Sequence, residues 1–273
     1  LLDCFACARN DAVVAPVLKS LIFSQRPIVI YNNQDITDSD HLLSVLAIND
    51  APLRQAMRIA GVEFLADLSG ALFWERERLL VVSDLHLEKG SSFATRGVLL
   101  PPYDTVATLG RLAAVIAHYD PRTVIALGDS FHDSDAHERL SAPDREALSA
   151  VQARRDWIWI SGNHDPALPS DLGGAVASEV AMGGIVFRHE PTGAPGEIAG
   201  HLHPKARVST RGRSMERRCF ASDGERAVMP AFGAYAGGLS IRDRAFAKIF
   251  AADFIAHVLG DSRMHAIAAS RCY

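Results

Sequence analysis

Three short apolar runs, rich in β-branched residues, constrain the fold of this chain of 273 residues more than any other feature. They cover residues 79–82, 123–127 and 157–160. Uninterrupted apolar runs of this length are typical of strands that are buried on both faces, as in parallel sheets. We therefore expect these runs to form the middle of a parallel sheet.

Amphipathic stretches separate the three runs. Apolar residues recur at helical spacing over 104–119, and Asp104 is placed to cap a helix there. The stretch 141–155 has Ser141 as a candidate cap and Pro143 in its first turn. The order of strand, helix, strand, helix, strand predicts a parallel sheet of the α/β class.

A polar motif follows each of the three runs directly. The motifs are Asp84-Leu85-His86, Gly128-Asp129 and Gly162-Asn163-His164-Asp165, and farther along the chain lie His189 and Gly200-His201-Leu202-His203. Ligands of parallel sheets gather at the carboxyl ends of the strands. Because carboxylate, amide and imidazole groups bind divalent cations, the spacing predicts a metal site at that end of the sheet.

The second half of the chain has a different pattern. The apolar runs 185–188 and 197–199 are joined by a short connection, so we expect them to pair as a hairpin. Asp223-Gly224 predicts a further hairpin turn, and the last amphipathic stretch predicts a helix over 245–257. This half is then a more antiparallel sheet that packs against the first, with helices outside.

Two adjacent cations need a ligand that bridges them. Asp129 is the candidate bridge, since it follows a glycine at the end of the middle strand. Asp84 and His86 are two residues apart, so an extended backbone would point both side chains to one side, where His203 would complete the first site. The remaining ligands of the second site would be Asn163, His189 and His201.

Such a set of ligands suits the hydrolysis of phosphate esters. Water held by two cations has a lowered pKa and can attack phosphorus in line, so that no covalent protein nucleophile is required. His164 is the candidate donor of a proton to the leaving oxygen, and Asp165 would orient its ring. The alternative for His164 is a purely structural histidine.

The composition excludes several classes of protein. A net charge of −4 and a mean hydropathy of +0.07 indicate an ordinary globular chain. No apolar stretch approaches the roughly 20 residues of a membrane span, and the first residues lack a secretory pattern. Four cysteines are too few for a disulfide framework, and Cys4 and Cys7 lack the further ligands of a zinc site. We expect a cytoplasmic protein.

The sequence divides into three parts. Residues 1–56 have few helical caps and no link to the motifs, so we expect an extension outside the fold, appended or translated from an upstream start. Residues 57–260 would form the catalytic domain. Residues 261–273 would form a C-terminal tail.

The order Asp-x-His, Gly-Asp, Gly-Asn-His-Asp, His and Gly-His-x-His resembles the calcineurin-like metallophosphoesterase superfamily. The resemblance covers residues 57–238 and has every ligand position filled. It implies a four-layer αββα sandwich of two mixed sheets, and a dinuclear site for two divalent metal ions. Mn²⁺ is the ion that we expect, with iron and zinc as alternatives.

More narrowly, the segments 83–90, 100–105, 128–133 and 230–233 resemble the bacterial DNA ligase-associated metallophosphoesterases, which act as damage-response endonucleases. That resemblance implies DNA as the substrate, and DNA ligase and helicase as partners in repair. In the protein phosphatases of the superfamily, Asp-Arg-Gly follows the Gly-Asp motif. Here Ser130-Phe131-His132-Asp133 follows Gly128-Asp129, which is closer to the nuclease branch.

Further residues are candidates for substrate binding. Arg96 lies shortly after the first motif, and His132 lies shortly after the second. A histidine that only supports the metal ligands is the alternative for His132. The basic run over 205–218 would attract a polyanion if it lies beside the metals, and its alternative is a solvated hairpin.

These observations predict a metal-dependent phosphodiesterase or endonuclease that acts on DNA. The alternative is a phosphomonoesterase that acts on a small metabolite or a phosphoprotein. A catalytically inactive binding module is a third interpretation, and the retention of every ligand position argues against it.

Overall fold

The computed structural model describes residues 54–210, 213–251 and 253–273. Two mixed sheets lie at the centre of this described part, with helices on the outer face of each. The α/β sandwich that the resemblance implies is therefore confirmed.

The first sheet has seven strands. They are β1 (Arg54–Ile59), β2 (Val62–Asp67), β3 (Leu72–Trp74), β4 (Leu79–Val82), β5 (Thr123–Leu127), β6 (Asp156–Ile160) and β7 (Ala175–Ala177). Strands β1 to β4 pair antiparallel in chain order, and β4 to β7 pair parallel. The three apolar runs are β4, β5 and β6, so the predicted parallel pairing is confirmed.

The helices of the first half lie between β4 and β6. They are α1 (Lys89–Thr95), α2 (Asp104–Tyr119), α3 (Ala136–Arg139) and α4 (Ala142–Gln152). Ser141 caps α4 as predicted, with its hydroxyl 3.3 Å from the backbone N–H of Asp144. The prediction that Asp104 caps α2 is wrong. Its carboxylate accepts a hydrogen bond from the backbone N–H of Gly90 at 3.0 Å, which joins α2 to α1.

The second sheet contains the remaining strands. They are β8 (Glu179–Met182), β9 (Ile185–Arg188), β10 (Glu197–Ala199), β11 (Lys205–Thr210), β12 (Arg213–Ser222), β13 (Ala227–Val228), β14 (Ile255–Leu259) and β15 (Met264–Ala268). Their order is β15-β14-β12-β13-β10-β9-β8, and β11 pairs with β12. Helix α5 (Arg244–Ile249) precedes β14, and 3-10 turns cover Ser170–Leu172 and Ala269–Arg271. Among the described helices, none combines the length and the apolar character of a membrane span.

The pairing of β9 with β10 differs from the prediction, because the two strands run parallel and do not form a hairpin. The buried carboxylate of Glu197 accepts hydrogen bonds from the backbone N–H groups of Thr192 (3.0 Å) and Gly193 (2.6 Å). These bonds fix the connection between β9 and β10 against the first residue of β10. Parallel strands end at the same edge of a sheet, so His189 and His201 follow β9 and β10 on one side.

The buried residues of β4 alternate between two apolar layers. Leu80 and Val82 pack in the cluster that contains the buried faces of α2 and α4. Leu79 and Val81 pack between the sheets, where the second sheet contributes Ile185, Phe187, Ile198 and Phe220. A third cluster packs α5 against the other face of the second sheet. Together these clusters form the interior of the four layers.

Three predicted boundaries differ from the structure. Strand β1 begins at Arg54, so residues 54–56 belong to the domain, whereas residues 1–53 of the predicted extension lie outside the described residues. The segment predicted as a tail contains β15, which pairs with β14. The helix predicted over 245–257 ends at Ile249. The last part of the predicted helix belongs to β14, where Ala256 and Val258 are buried in alternation, as in a strand.

Replacing Leu80 with alanine should lower the free energy of unfolding by about 2–5 kcal/mol, because this side chain is fully buried under the helices. Leu99→Ala is the control, since Leu99 is 87% exposed and its loss should change stability by less than about 0.5 kcal/mol. Urea denaturation followed by circular dichroism measures both. Equal midpoints would contradict this packing.

Candidate dinuclear metal centre

The loops that follow β4 and β5 run side by side beyond the edge of the first sheet. The backbone N–H of His86 donates to the carbonyl of Asp129, and that of Leu87 donates to the carbonyl of Ser130, both at 2.9 Å. The sequence predicts an extended backbone at Asp84 and His86, and this prediction is wrong. Both residues are left-handed, with φ of 53° and 44°. The two side chains nevertheless meet in one cluster.

The first cluster of candidate ligands consists of Asp84, His86 and His203. Nε2 of His203 lies 3.1 Å from Oδ1 of Asp84 and 3.3 Å from Nε2 of His86. The fully buried carboxylate of Asp84 also accepts hydrogen bonds from the Ser83 hydroxyl and the backbone N–H of His201. The structure therefore brings together the residues that we predicted for the first metal.

The second cluster joins Asn163, His189 and His201. Nε2 of His189 lies 3.0 Å from Oδ1 of Asn163 and 3.2 Å from Nδ1 of His201. Nδ1 of His189 lies 2.8 Å from the carbonyl oxygen of Leu127, to which it donates. That hydrogen bond fixes the ring and leaves Nε2 available to a cation.

The carboxylate of Asp129 lies between the two clusters. Its Oδ1 is 3.4 Å from Nε2 of His189, and its Oδ2 is 4.0 Å from Nε2 of His86. One oxygen atom thus faces each cluster, as a bridging ligand requires. The geometry fits the role that the sequence predicts for Asp129.

The donor atoms suit divalent cations. In each cluster two imidazole nitrogens face one another, at 3.3 Å in the first and 3.2 Å in the second. Two nitrogen lone pairs at this distance repel one another unless a proton or a cation lies between them. Imidazole and carboxylate are also ligands that manganese, iron and zinc share. The residues fit the dinuclear site that the resemblance implies.

The charges at the centre are strongly coupled. Burial alone would lower the pKa of His189, but the carboxylates of Asp129 and Asp84 raise it to about 9. Burial opposes the ionisation of Asp129, yet His189 lowers the pKa of Asp129 to about 2. The pair is therefore ionised in the protein alone, and a cation that binds here has to displace the proton of His189.

Most of the candidate ligands have a strained backbone. Positive φ angles occur at Asp84 (53°), His86 (44°), Asp129 (45°), His201 (67°) and His203 (46°). Such a conformation is uncommon outside glycine and costs on the order of 1–3 kcal/mol per residue. Strain of this kind is retained where the surrounding structure enforces it, and it concentrates at functional sites. No residue type in the sequence reveals it beforehand.

Two glycines allow the loops to approach each other closely. Gly128 has a φ of 74°, and a Cβ atom there would lie 2.6 Å from the ring of His189. A Cβ atom at Gly200 would collide with the hydroxyl of Ser83. Space therefore requires glycine at both positions, and at Gly128 the backbone conformation requires it as well.

The prediction that Asp165 orients the ring of His164 is wrong. The Asp165 carboxylate accepts four backbone hydrogen bonds, from Gly162 (3.0 Å), Asp129 (3.1 Å), Ser130 (2.7 Å) and Phe131 (3.0 Å). Burial raises the pKa of Asp165 to about 6, and the N–H groups oppose this by favouring the charged form. Asp165 thus joins the loop after β5 to the loop after β6.

His132 holds the ring of His164. Nδ1 of His164 lies 2.8 Å from the carbonyl oxygen of His132, and the two rings stack with centroids 5.4 Å apart. Nε2 of His164 lies 4.0 Å from Oδ2 of Asp129, on the exposed side of the centre. Because Nδ1 donates to the carbonyl, Nε2 is the atom that can exchange a proton with a substrate.

Both predicted substrate-binding residues lie on this side of the centre. His132 is half-buried, and its ring centroid is 5.5 Å from that of His86. Burial, together with the nearby charges of Lys89 and Arg96, lowers the pKa of His132 to about 4, so the ring is neutral at neutral pH. Arg96 is exposed at the end of α1.

Two arginines of the basic run over 205–218 make contacts within the described fold. Arg218 is directed inward, where it donates to the carbonyl of Ala231 at 2.6 Å. Arg217 forms an ion pair of 3.0 Å with Asp261. These two contacts are structural. Lys205 lies at the start of β11, two residues after His203 of the first cluster. Nothing in the sequence distinguishes it from the other basic residues of the run.

Asp165→Asn should lower the free energy of unfolding by about 1–3 kcal/mol, because an amide nitrogen cannot accept the N–H groups that the second oxygen satisfies. Urea denaturation measures this change, and calorimetry should show weaker Mn²⁺ binding, since the loop of Asp129 loses its support. The control is Asp156→Asn, whose side chain is 69% exposed. Wild-type stability of Asp165→Asn would contradict the structural role.

The strained backbone at His203 predicts an unusual order of stability. His203→Gly should be more stable than His203→Ala by about 1 kcal/mol, because glycine adopts a φ of 46° without strain. The same two changes at exposed His118 in α2 should give the reverse order, by about 1 kcal/mol. Urea denaturation in the presence of a chelator compares the four variants. The same order at both positions would show that residue 203 is not strained.

Comparison with known proteins agrees with this geometry. A family model described as calcineurin-like phosphoesterase matches residues 77–223, which include all of the candidate ligands. The crystal structure of nuclease MPE from Pseudomonas putida is similar, with a TM-score of 0.60 and 26% sequence identity, and the match covers 78% of this chain and 100% of that chain. No curated protein sequence matches this chain.

The match of the family model extends over more than half of the 273 residues. The matched region contains strands β4 to β7 of the first sheet, the two clusters of candidate metal ligands, and the loops that support these clusters. The chain is therefore a phosphoric ester hydrolase that belongs to the calcineurin-like phosphoesterase family.

Proposed function

We propose that this protein is a metal-dependent phosphodiesterase that cleaves DNA as an endonuclease. The observation that carries the proposal is the similarity to a nuclease over the whole length of that nuclease chain, combined with two adjacent clusters of metal-binding side chains. The resemblance to the ligase-associated subfamily adds the proposal of a cytoplasmic repair enzyme that works with DNA ligase and helicase.

Two groups of side chains would hold the metals. Asp84, His86 and His203 would hold one ion, and Asn163, His189 and His201 would hold the other, with Asp129 shared between them. When bound, the two ions supply an activated water and neutralise charge on the phosphoryl oxygens. We propose Mn²⁺ for both sites, with iron or zinc as alternatives.

His164 would protonate the leaving group. Its Nδ1–H donates to the carbonyl of His132, which keeps the ring in place. Its Nε2 is exposed beside Asp129, within reach of a phosphate that lies across the two clusters. A proton given from Nε2 to the leaving oxygen would lower the barrier to breaking the ester bond.

The exposure of the centre suits a polymeric substrate. The side chains of Asn163 and His164 are exposed, so the centre opens directly at the surface. A small phosphorylated metabolite is usually enclosed by its pocket, whereas a strand of nucleic acid has to pass across the catalytic groups. This opening favours a diester within a longer chain over an enclosed monoester.

The first test compares a chromogenic phosphodiester with the matching monoester, using Mn²⁺-loaded protein. The diester should be hydrolysed faster, and Asp129→Asn should reduce its turnover by at least about a hundredfold, because this change removes the shared ligand. Asp156→Asn, which lies far from the centre at the start of β6, is the matched control. A preference for the monoester would contradict the proposal.

Endonuclease action needs a substrate without ends. Covalently closed single-stranded DNA should be converted to a linear form by the wild-type protein and not by Asp129→Asn. Cleavage of linear DNA alone would show that the protein acts on ends, and the endonuclease part of the proposal would then be wrong.

A further inference from the structure

Two lysines flank the first metal cluster. Lys89 begins α1, shortly after His86, and Lys205 begins β11, shortly after His203. Nε2 of His86 and Nε2 of His203 are 3.3 Å apart, so both lysine-bearing segments leave the centre from the same point. Among the described residues, neither lysine has a carboxylate oxygen within 4.0 Å.

Contacts between side chains lead outward from the centre to Lys89. The rings of His164 and His132 have centroids 5.4 Å apart, and the rings of His132 and Phe93 have centroids 5.7 Å apart. The Nζ atom of Lys89 lies 5.9 Å from the centre of the Phe93 ring. The ammonium group is therefore held beside the centre but away from its metal-binding atoms.

Lys205 is held by the backbone around it. Its N–H donates to the carbonyl of Leu239, and its carbonyl accepts from the N–H of Ile241, both at 2.9 Å. The lysine side chain passes over Gly238, where a Cβ atom would lie 3.0 Å from Cε. Burial lowers the pKa of Lys89, Asp104 opposes this, and the charge of Lys205 lowers it further. This agrees with the geometry, in which both lysine-bearing segments leave the centre beside the facing rings of His86 and His203.

The opposite side of the centre has the other charge. A cleft of about 310 Å³ beside Asn163 and His189 contains Glu179 and Glu190. Arg188 also lines this cleft, and its guanidinium group forms an ion pair of 2.8 Å with Glu179. The exposed carboxylates of Glu179 and Glu190 would therefore disfavour a phosphate on this side, and the two lysines would attract it on the other.

We propose, on the premise of the diesterase function above, that Lys89 and Lys205 together bind a phosphate next to the scissile one. Two ammonium groups on the same side of the centre can both contact an anion that lies between them, and the neighbouring phosphate of a nucleic acid strand is such an anion. The site would then select polynucleotides over isolated diesters. The strand would leave the centre on the side of His86 and His203.

The test compares two diesters. Lys89→Ala and Lys205→Ala should each lower kcat/KM for a single-stranded oligothymidylate about five- to tenfold, the loss expected for a partly exposed charged contact. A chromogenic diester has no second phosphate, so its hydrolysis should fall much less. Lys248→Ala is the matched control, because Lys248 is exposed on α5, and Lys89→Arg should restore most of the rate on the oligonucleotide.

A binding measurement gives a readout that needs no turnover. The anisotropy of a fluorescein-labelled oligothymidylate, measured with chelator present, should show weaker binding by Lys89→Ala and Lys205→Ala. Each variant should also reduce the slope of log affinity against log salt by about 0.7, the value for one lost contact with a single-stranded phosphate. Lys248→Ala should keep the wild-type slope.

Three results would overturn the lysine proposal. These are wild-type binding and salt slope in both variants, an equal loss in Lys248→Ala, and an equal loss of rate on the oligonucleotide and the chromogenic diester. If the wild-type protein binds the oligonucleotide but does not cut it, the diesterase function is wrong. The binding measurement then still decides whether Lys89 and Lys205 form a phosphate site.

Discussion

Four backbone N–H groups from two loops converge on one buried carboxylate, that of Asp165. The first loop carries Asp129, which lies between the two clusters, and the second carries Asn163 and His164. A parallel sheet brings the ends of β5 and β6 to the same edge, but it does not fix the loops beyond that edge. The Asp165 carboxylate does so, and the positions of the bridging group and the proposed proton donor depend on it.

The first sheet could be predicted because its strands are continuous apolar runs that need no partner to be recognised. The gathering of Asp84, His86, Asp129 and Asn163 followed from the rule that parallel strands present their carboxyl ends together, whereas the three histidines of the second sheet were placed by their motifs alone. The direction of β10 could not be predicted, because it depends on hydrogen bonds from Thr192 and Gly193 to Glu197, and a short connection resembles a hairpin in sequence. The left-handed backbone of the ligand residues likewise follows from packing between distant segments.

Electrostatics divides the surface around the centre in a way that overall composition hides. The chain has a net charge of −4, which by itself suggests no affinity for a polyanion. Lys89, Lys205 and Arg96 nevertheless lie on one side of the centre, whereas Glu179 and Glu190 line the cleft on the other. Local arrangement therefore matters more than net charge in choosing the direction from which an anionic chain approaches.

One segment of three residues contributes to both clusters, because His201 belongs to the second and His203 to the first. The positions of these two rings therefore depend on a single stretch of backbone with φ of 67° and 46° at its ends. A change in the conformation of this stretch would therefore disturb both clusters at once, so the ligands of one cluster cannot be moved there without affecting those of the other.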